Sequence, residues 1–268
     1  MSKATETIWR RQSATEVLRA YIWLLLMAGA FFWGWRLISE HTIWSFVLDA
    51  PEAGWDMAQR MWPPRWAYLT KIWYPLWDTL NIATLGTLIG AMIALPLAFL
   101  AARNTTPSLL FVRPIALFII VASRSINSLI WAMLLVTIVG PGTLAGIIAI
   151  ALRSIGFIGK LVYESIEEVD TKPIEAITAT GASSLQVLNF AFIPQLAPTI
   201  VGCVVYRWDF NVRESTVLGV VGAGGLGLPL QESVSILAWP QVSLIFLIIL
   251  LLVWGAEWLS NVIRQKII

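Results

Sequence analysis

Six ionisable residues and an asparagine stand inside otherwise apolar stretches: Arg124, Arg153, Arg207, Asp209, Asn211, Arg213 and Glu214. Guanidinium groups bind oxyanions well, because their planar fork gives two parallel charge-assisted hydrogen bonds. Asp209 and Arg213 are four residues apart with the acid first, a spacing that pairs them on a helix. Arg207, Asn211 and Glu214 follow one another at helical spacing along a neighbouring stripe. Two readings fit these residues: a cationic, hydrogen-bonding path for a small oxyanion, or internal salt bridges that lock helices together. Asp209 and Arg213 have each other, which favours the bridge. Arg153 has no partner within its own stretch, and isolated ions in such surroundings are functional by default, so a path role is expected for it. Isolated carboxylates and serines form no nucleophile–base constellation, and no catalytic residue is expected.

The elements that carry these groups follow from composition. The chain has 268 residues, 58% of them hydrophobic and 13% charged, with a mean hydropathy of +0.76. A water-soluble domain of this size cannot hide so much apolar surface. About 20 apolar residues cross a bilayer as a helix, and stretches near 20–39, 79–102, 114–139, 143–164, 195–217 and 240–260 qualify. Backbone groups must be satisfied within the span, so these are helices, and the short alternating strands of a barrel are absent. The expectation is an all-α integral membrane protein of about six transmembrane helices.

Lys and Arg fix the orientation. With both termini in the cytoplasm, the inner side carries Lys3, Arg10, Arg11, Arg19, Arg103, Arg113, Lys160, Lys172, Arg264 and Lys266, against Arg60, Arg65 and Lys71 outside. This asymmetry obeys the positive-inside rule. The chain then divides into a cytoplasmic segment (1–19), a first helix with an external segment (20–78), and a core of five helices (79–268). The first apolar run ends in Phe31, Phe32, Trp33 and Trp35 without a small-residue cleavage site, which reads as an uncleaved anchor. The external segment holds Trp44, Trp55, Trp62, Trp66, Trp73 and Trp77, and tryptophan prefers the membrane–water boundary. One or two interfacial helices, broken at Pro63-Pro64, are expected there.

Residues 164–194 form the longest polar inner stretch. Asp170 or Thr171 can cap a helix that tolerates Pro173 in its first turn. Gly181 permits a positive φ and a sharp turn. Ser183-Ser184-Leu185-Gln186 reads as a capping box for a second short helix, and Pro194 starts the next span. A helix–glycine–helix protrusion suits a groove on a partner, and equally a plain connector.

Glu175-Ala176-Ile177, Gly181 and Ile193-Pro194 resemble the EAA loop of the permease subunits of ABC importers, E-A-A, three residues, G, nine residues, I-x-L-P. Glu175, Ala176, Gly181 and Pro194 match in register. Ile177, Ala191 and Ile193 are apolar replacements. Trp77-Asp78-Thr79-Leu80 resembles the start of that family's core. Arg124-Ser125-Ile126 resembles its R-S-[IV]-P, with Asn127 for proline. The block from Tyr206 to Gly227 is most similar to the phosphonate branch, whose relatives also carry phosphite or hypophosphite.

The resemblance implies a type I ABC importer permease fold in a bacterial inner membrane, with the EAA-like segment as a cytoplasmic coupling helix against an ATP-binding subunit. It implies as partners a second permease copy, two ATP-binding subunits and a periplasmic substrate-binding protein. ATP and Mg would be held by the ATP-binding subunits and no cofactor by this chain.

Two motifs mislead. Gly222-Ala223-Gly224-Gly225-Leu226-Gly227 fits G-x-G-x-x-G but lacks the βαβ context of a dinucleotide site. A close-packed turn or re-entrant loop is expected instead, with Gly222, Gly224, Gly225 and Gly227 as its packing or gating positions. Gly156-Phe157-Ile158-Gly159-Lys160 has too few residues between its glycines for a P-loop, and no Ser or Thr follows the lysine. The chain is therefore not expected to be an enzyme by itself. With one histidine, His41, and one cysteine, Cys203, neither a multi-histidine nor a cysteine-rich metal site is expected. The net charge of +2 does not point to nucleic acid. Two other classes compete. An ion-driven secondary transporter commonly shows repeated halves, and no repeat is visible. A non-transporting scaffold has no need of so many ions at membrane depth.

Overall fold

The structure is a computed structural model that describes residues 14–267, which are helical and connecting segments without a strand. Lys3, Arg10 and Arg11, counted above for orientation, lie outside the described residues. Packing separates the chain into two units that meet at Met57 and Ala58.

The first unit holds α1 (Ala14–His41) and most of α2 (Trp44–Met61). α1 displays apolar side chains all round, including Leu24, Leu25, Phe31, Phe32 and Trp33, as a helix surrounded by lipid does. α2 ends at Met61, and a 3₁₀ turn starts at Trp66, so the chain breaks around Pro63-Pro64.

The second unit begins with α3 (Leu69–Ala101). This helix starts ten residues before the stretch that hydropathy marks. At 33 residues it is about 50 Å long, well beyond the ~30 Å hydrocarbon core. Its first turns carry Lys71, Trp73, Tyr74 and Trp77, whose mixed character hides a continuous helix from a hydropathy window. Along α3 the small residues Gly86, Gly90, Ala94 and Ala98 recur every fourth position, all buried. They let α6 (Thr143–Glu167) approach closely: a Cβ on Gly90 would lie 2.7 Å from Ser154 Cβ. Small-residue stripes of this kind replace the hydrophobic effect as the means of helix association in lipid.

The stretch expected as one span at 114–139 is two helices, α4 (Val112–Ser125) and α5 (Ser128–Val139), bent by 89°. Asn127 causes the break. Its backbone is extended, at φ −68° and ψ 144°, and its side chain accepts the Leu129 N–H as the cap of α5. Hydropathy is blind to it, because one polar residue barely changes a window average. A proline at this position, as in the R-S-[IV]-P pattern, would break the helix by removing a donor; asparagine does so by capping.

After α6 come α7 (Thr171–Ala179), capped by the Asp170 side chain, and α8 (Ser184–Val187). A π-helical turn, Leu188–Phe192, leads directly into α9 (Ile193–Leu218). Pro194 lies in the first turn of α9, at the start of that span as expected, a position where proline is tolerated. α10 (Gly227–Ser235) and α11 (Trp239–Ile267) complete the core, α11 packing on α9. Among the described residues five helices are long and apolar enough to span a membrane, and the bent α4–α5 pair makes a sixth crossing if it serves as one.

Candidate functional site

α6 runs between the two ends of the core. At its start, Gly142 N donates to Gly222 O (3.0 Å). At its end, Glu167 pairs with Arg113 (3.4 Å) and accepts the Arg103 N–H (2.9 Å). The glycine-rich turn thus occupies one end, and the segment from Thr171 to Phe192 follows from the other.

The intramembrane charges converge where α6, α9 and the α4–α5 break meet. Arg153 Nη1 donates to Glu214 Oε1 (2.7 Å) and to Asn127 Oδ1 (3.0 Å). The Ser128 hydroxyl donates to the same Glu214 oxygen. Glu214 Oε2 accepts from Arg207 Nη2 (3.2 Å). One carboxylate therefore bridges two guanidinium groups and a hydroxyl. The Arg153 partner that its own span lacked comes from α9.

The two arginines differ in access. The Arg207 side chain is 3% exposed. Its Nε donates to Ser154 Oγ (3.1 Å), and its guanidinium lies against the rings of Phe157 and Phe210. Asn211 extends this buried network, donating to Ser154 Oγ (2.9 Å) and Thr87 Oγ1 (2.7 Å). Arg207 and Asn211 are thereby held as internal, hydrogen-bonded groups. The Arg153 side chain is 25% exposed and lines an open cleft of about 470 Å³ with Asn127, Ser128, Phe210, Arg213 and Glu214.

Arg213 belongs to the same cleft, and its Nη2 bonds Asp209 Oδ2 at 2.5 Å, as the spacing foretold. The pair is lopsided: Arg213 is 47% exposed and Asp209 only 7%. Asp209 Oδ1 is buried without a hydrogen-bond partner among the described residues. Arg124 is exposed on α4 and forms no hydrogen bond or ion pair within the described residues. Its backbone instead faces Gly156, where an added Cβ would lie 2.7 Å from Arg124 N.

The glycine-rich segment is a packed turn. Gly222, Gly224 and Gly225 take φ of +84°, +80° and +80°. A Cβ on Gly227 would come within 2.4 Å of Thr216 O. Leu226 N donates to Thr79 Oγ1 (2.9 Å), which ties the turn to α3.

At the other end, Gly181 has φ +81° between α7 and α8. Ser183 N donates to Gln186 Oε1 (2.8 Å), the backward half of a capping box. Glu175 and Ala176 are exposed on α7, and Ile193 and Pro194 are exposed at the start of α9. An open hollow of about 520 Å³ is lined by Ile177, Thr180, Gly181, Ala182, Gln186 and Phe190. Leu185 and Phe190 are also exposed there.

The charged members were legible by type, but their small polar partners Ser128, Ser154 and Thr87 were not. Single hydroxyls are common in spanning helices, where they bond their own backbone, as Thr87 does to Ala83 O. The available signal was adjacency: Ser154 follows Arg153, and Ser128 follows Asn127 at the helix break.

A bundle of long apolar helices with a buried ionic cluster and an exposed helix–glycine–helix is a membrane transport component in architecture. Residues 94–267 match the model of the family described as binding-protein-dependent transport system inner membrane component. The chain belongs to that family. Among its relatives, the phosphite transport system permease protein PtxC of Stutzerimonas stutzeri is 41% identical over 209 residues, 78% of this chain and 76% of that protein. The phosphate-import permease protein PhnE of Mycolicibacterium smegmatis is 41% identical over 219 residues, which are 82% of this chain and 41% of that longer protein. In three dimensions the chain is similar to the MetNI methionine ABC transporter in inward-facing conformations, with a TM-score of 0.65 at 22% identity, covering 76% of this chain and 99% of that one. The type I ABC importer permease fold expected from sequence is the fold observed.

Proposed function

We propose that this chain is the permease subunit of an ATP-driven importer that moves a small phosphorus oxyanion across the bacterial inner membrane by alternating access. The observation that carries the reading is the cleft at the α4–α5 break. There Arg153 and Arg213 keep guanidinium N–H groups without partners in the described chain, beside the amide of Asn127. Such a donor set suits a tetrahedral oxyanion and offers little to a neutral solute. The relatives named for phosphite and phosphate import support the same ligand class.

Arg124 and Arg213 are exposed on helices of a membrane core. Facing lipid at the bilayer centre, each would cost at least about 2.5–3.5 kcal/mol. A second copy that encloses a water-filled path against these groups removes that cost. The exposed α7–α8 segment then projects from the cytoplasmic end toward an ATP-binding subunit. ATP binding would bring two such subunits together, move both coupling segments and turn the path inward. A periplasmic binding protein would deliver the anion to the opposite end, where the glycine-rich turn packs. Reconstituted with its ATP-binding subunit and binding protein, the permease is expected to take up phosphite, phosphonate or hypophosphite only with ATP. Uptake driven by an ion gradient without ATP would overturn this reading.

The same reading places both termini in the cytoplasm and residues 41–78 in the periplasm. Reporter fusions after Arg113 and Gln265 are expected to signal inside, and one at Pro63-Pro64 outside. A reversed signal at any of the three would overturn the orientation.

A further inference from the structure

Glu214 poses a problem for an anion path. A carboxylate occupies the place where the anion should bind, bonded at Oε1 to Arg153 Nη1 (2.7 Å) and to the Ser128 hydroxyl. Its other oxygen holds Arg207 (3.2 Å). The chain thus presents Arg153 and Arg207 each with one nitrogen already engaged by an anion of its own. We propose that Glu214 is an internal stand-in for the transported anion, which the substrate displaces from Arg153 while Arg207 retains the carboxylate. The proposal rests on the reading that the oxyanion passes this cleft.

Three features support an exchange. The two arginines are unequal. Arg207 is fixed by Ser154, Phe157 and Phe210 and is 3% exposed, so it is an anchor that does not open onto the cleft. Arg153 is 25% exposed and lines the cleft, so an incoming anion reaches it. The two carboxylate oxygens are divided between them, one to each arginine, so Glu214 can give up its Arg153 side without losing every cation. Finally, an uncompensated Arg153 guanidinium at membrane depth would hold an anion too firmly. Conduction needs binding strong enough for entry and weak enough for exit. A tethered carboxylate that returns to Arg153 meets this need, because it replaces the departing anion and makes release an exchange of one charge-assisted set of bonds for another.

The test uses the permease with its ATP-binding subunit in lipid nanodiscs, without binding protein, titrated with phosphite. Glu214→Gln removes the competing charge and is expected to bind phosphite at least about tenfold more tightly, the loss of one charge-assisted competitor, while ATP-driven uptake slows because release is impeded. Should Glu214→Gln fail to assemble, Glu214→Asp keeps an acid for Arg207. Its side chain is one methylene shorter and cannot span both arginines, so it too is expected to bind more tightly than the wild type. A carboxylate that merely braces the helices predicts the opposite, unchanged or weaker binding in both variants, and that result overturns the proposal. Arg153→Gln separates this failure from failure of the path itself. If Arg153→Gln abolishes phosphite binding while neither Glu214 variant tightens it, the cleft stands and the displacement falls. If Arg153→Gln leaves binding unchanged, the cleft is not the site and both fall.

Discussion

Arg153→Gln is expected to slow substrate uptake by about 10- to 150-fold at normal expression. The figure is the loss of a charge-assisted hydrogen bond of roughly 1.5–3 kcal/mol, felt as the anion passes. Folding is expected to survive, because Glu214 keeps Arg207 and Ser128 as partners when Arg153 is gone. Arg213 must be tested differently. Its partner Asp209 is 7% exposed and has one oxygen already without a hydrogen-bond partner among the described residues. Arg213→Gln therefore leaves a buried acid without its cation, a change that typically costs about 3–5 kcal/mol. The double variant Asp209→Asn with Arg213→Gln removes both charges, and it is expected to regain assembly without regaining uptake. Thermal melting of the purified complex and ATP-dependent uptake in proteoliposomes report the two separately. Recovery of both would make Arg213 a salt-bridge partner and not a substrate contact. Unimpaired uptake in Arg153→Gln would remove Arg153 from the pathway.

The sequence shows the charges of this site clearly but their geometry only along a single helix. The Asp209–Arg213 pair and the alignment of Arg207 with Glu214 were readable, since residues on one helix have a known angular spacing. The Arg153–Glu214 contact joins α6 to α9 and was not readable, because no rule of local spacing reports which helices adjoin. The break at Asn127 was hidden for a related reason. A hydropathy window averages over the very residue that ends α4, caps α5 and supplies an oxygen to Arg153. The spans of α6 and α9, expected at 143–164 and 195–217, were found with small boundary errors, while α1 and α11 extend further than the apolar runs that mark them. α3 was underestimated because its first turns leave the apolar register while remaining helical. Turn residues were legible at Gly181 and across the glycine-rich segment, while the positive φ of Gly140, Gly142 and Leu237 carried no such signal.

Gly181→Leu is expected to uncouple transport from ATP hydrolysis, and the structure separates two reasons for it. The first is conformational. At φ +81° a side chain with a Cβ costs about 1–2 kcal/mol, enough to disturb the angle between α7 and α8. The second is steric, and it concerns the partner. Apart from its two chain neighbours, no atom of the described residues lies within 4 Å of a Cβ built on Gly181, so a leucine side chain would project into the open hollow beside Ile177, Gln186 and Phe190. On the proposed reading the ATP-binding subunit occupies that space. Gly181→Asn distinguishes the two, because asparagine tolerates the left-handed region better than other residues while still adding bulk. If conformation dominates, Gly181→Asn keeps most coupled hydrolysis and Gly181→Leu loses about tenfold or more, the equivalent of 1.4 kcal/mol. If docking dominates, both variants release the ATP-binding subunit on co-purification. Glu175→Ala, which removes an exposed polar group from α7 without touching the turn, is expected to do less harm than either. A Gly181→Leu complex that retains its ATP-binding subunit and its substrate-stimulated hydrolysis would show that this segment is a connector, and the role assigned to Glu175, Ala176 and Gly181 would fall with it.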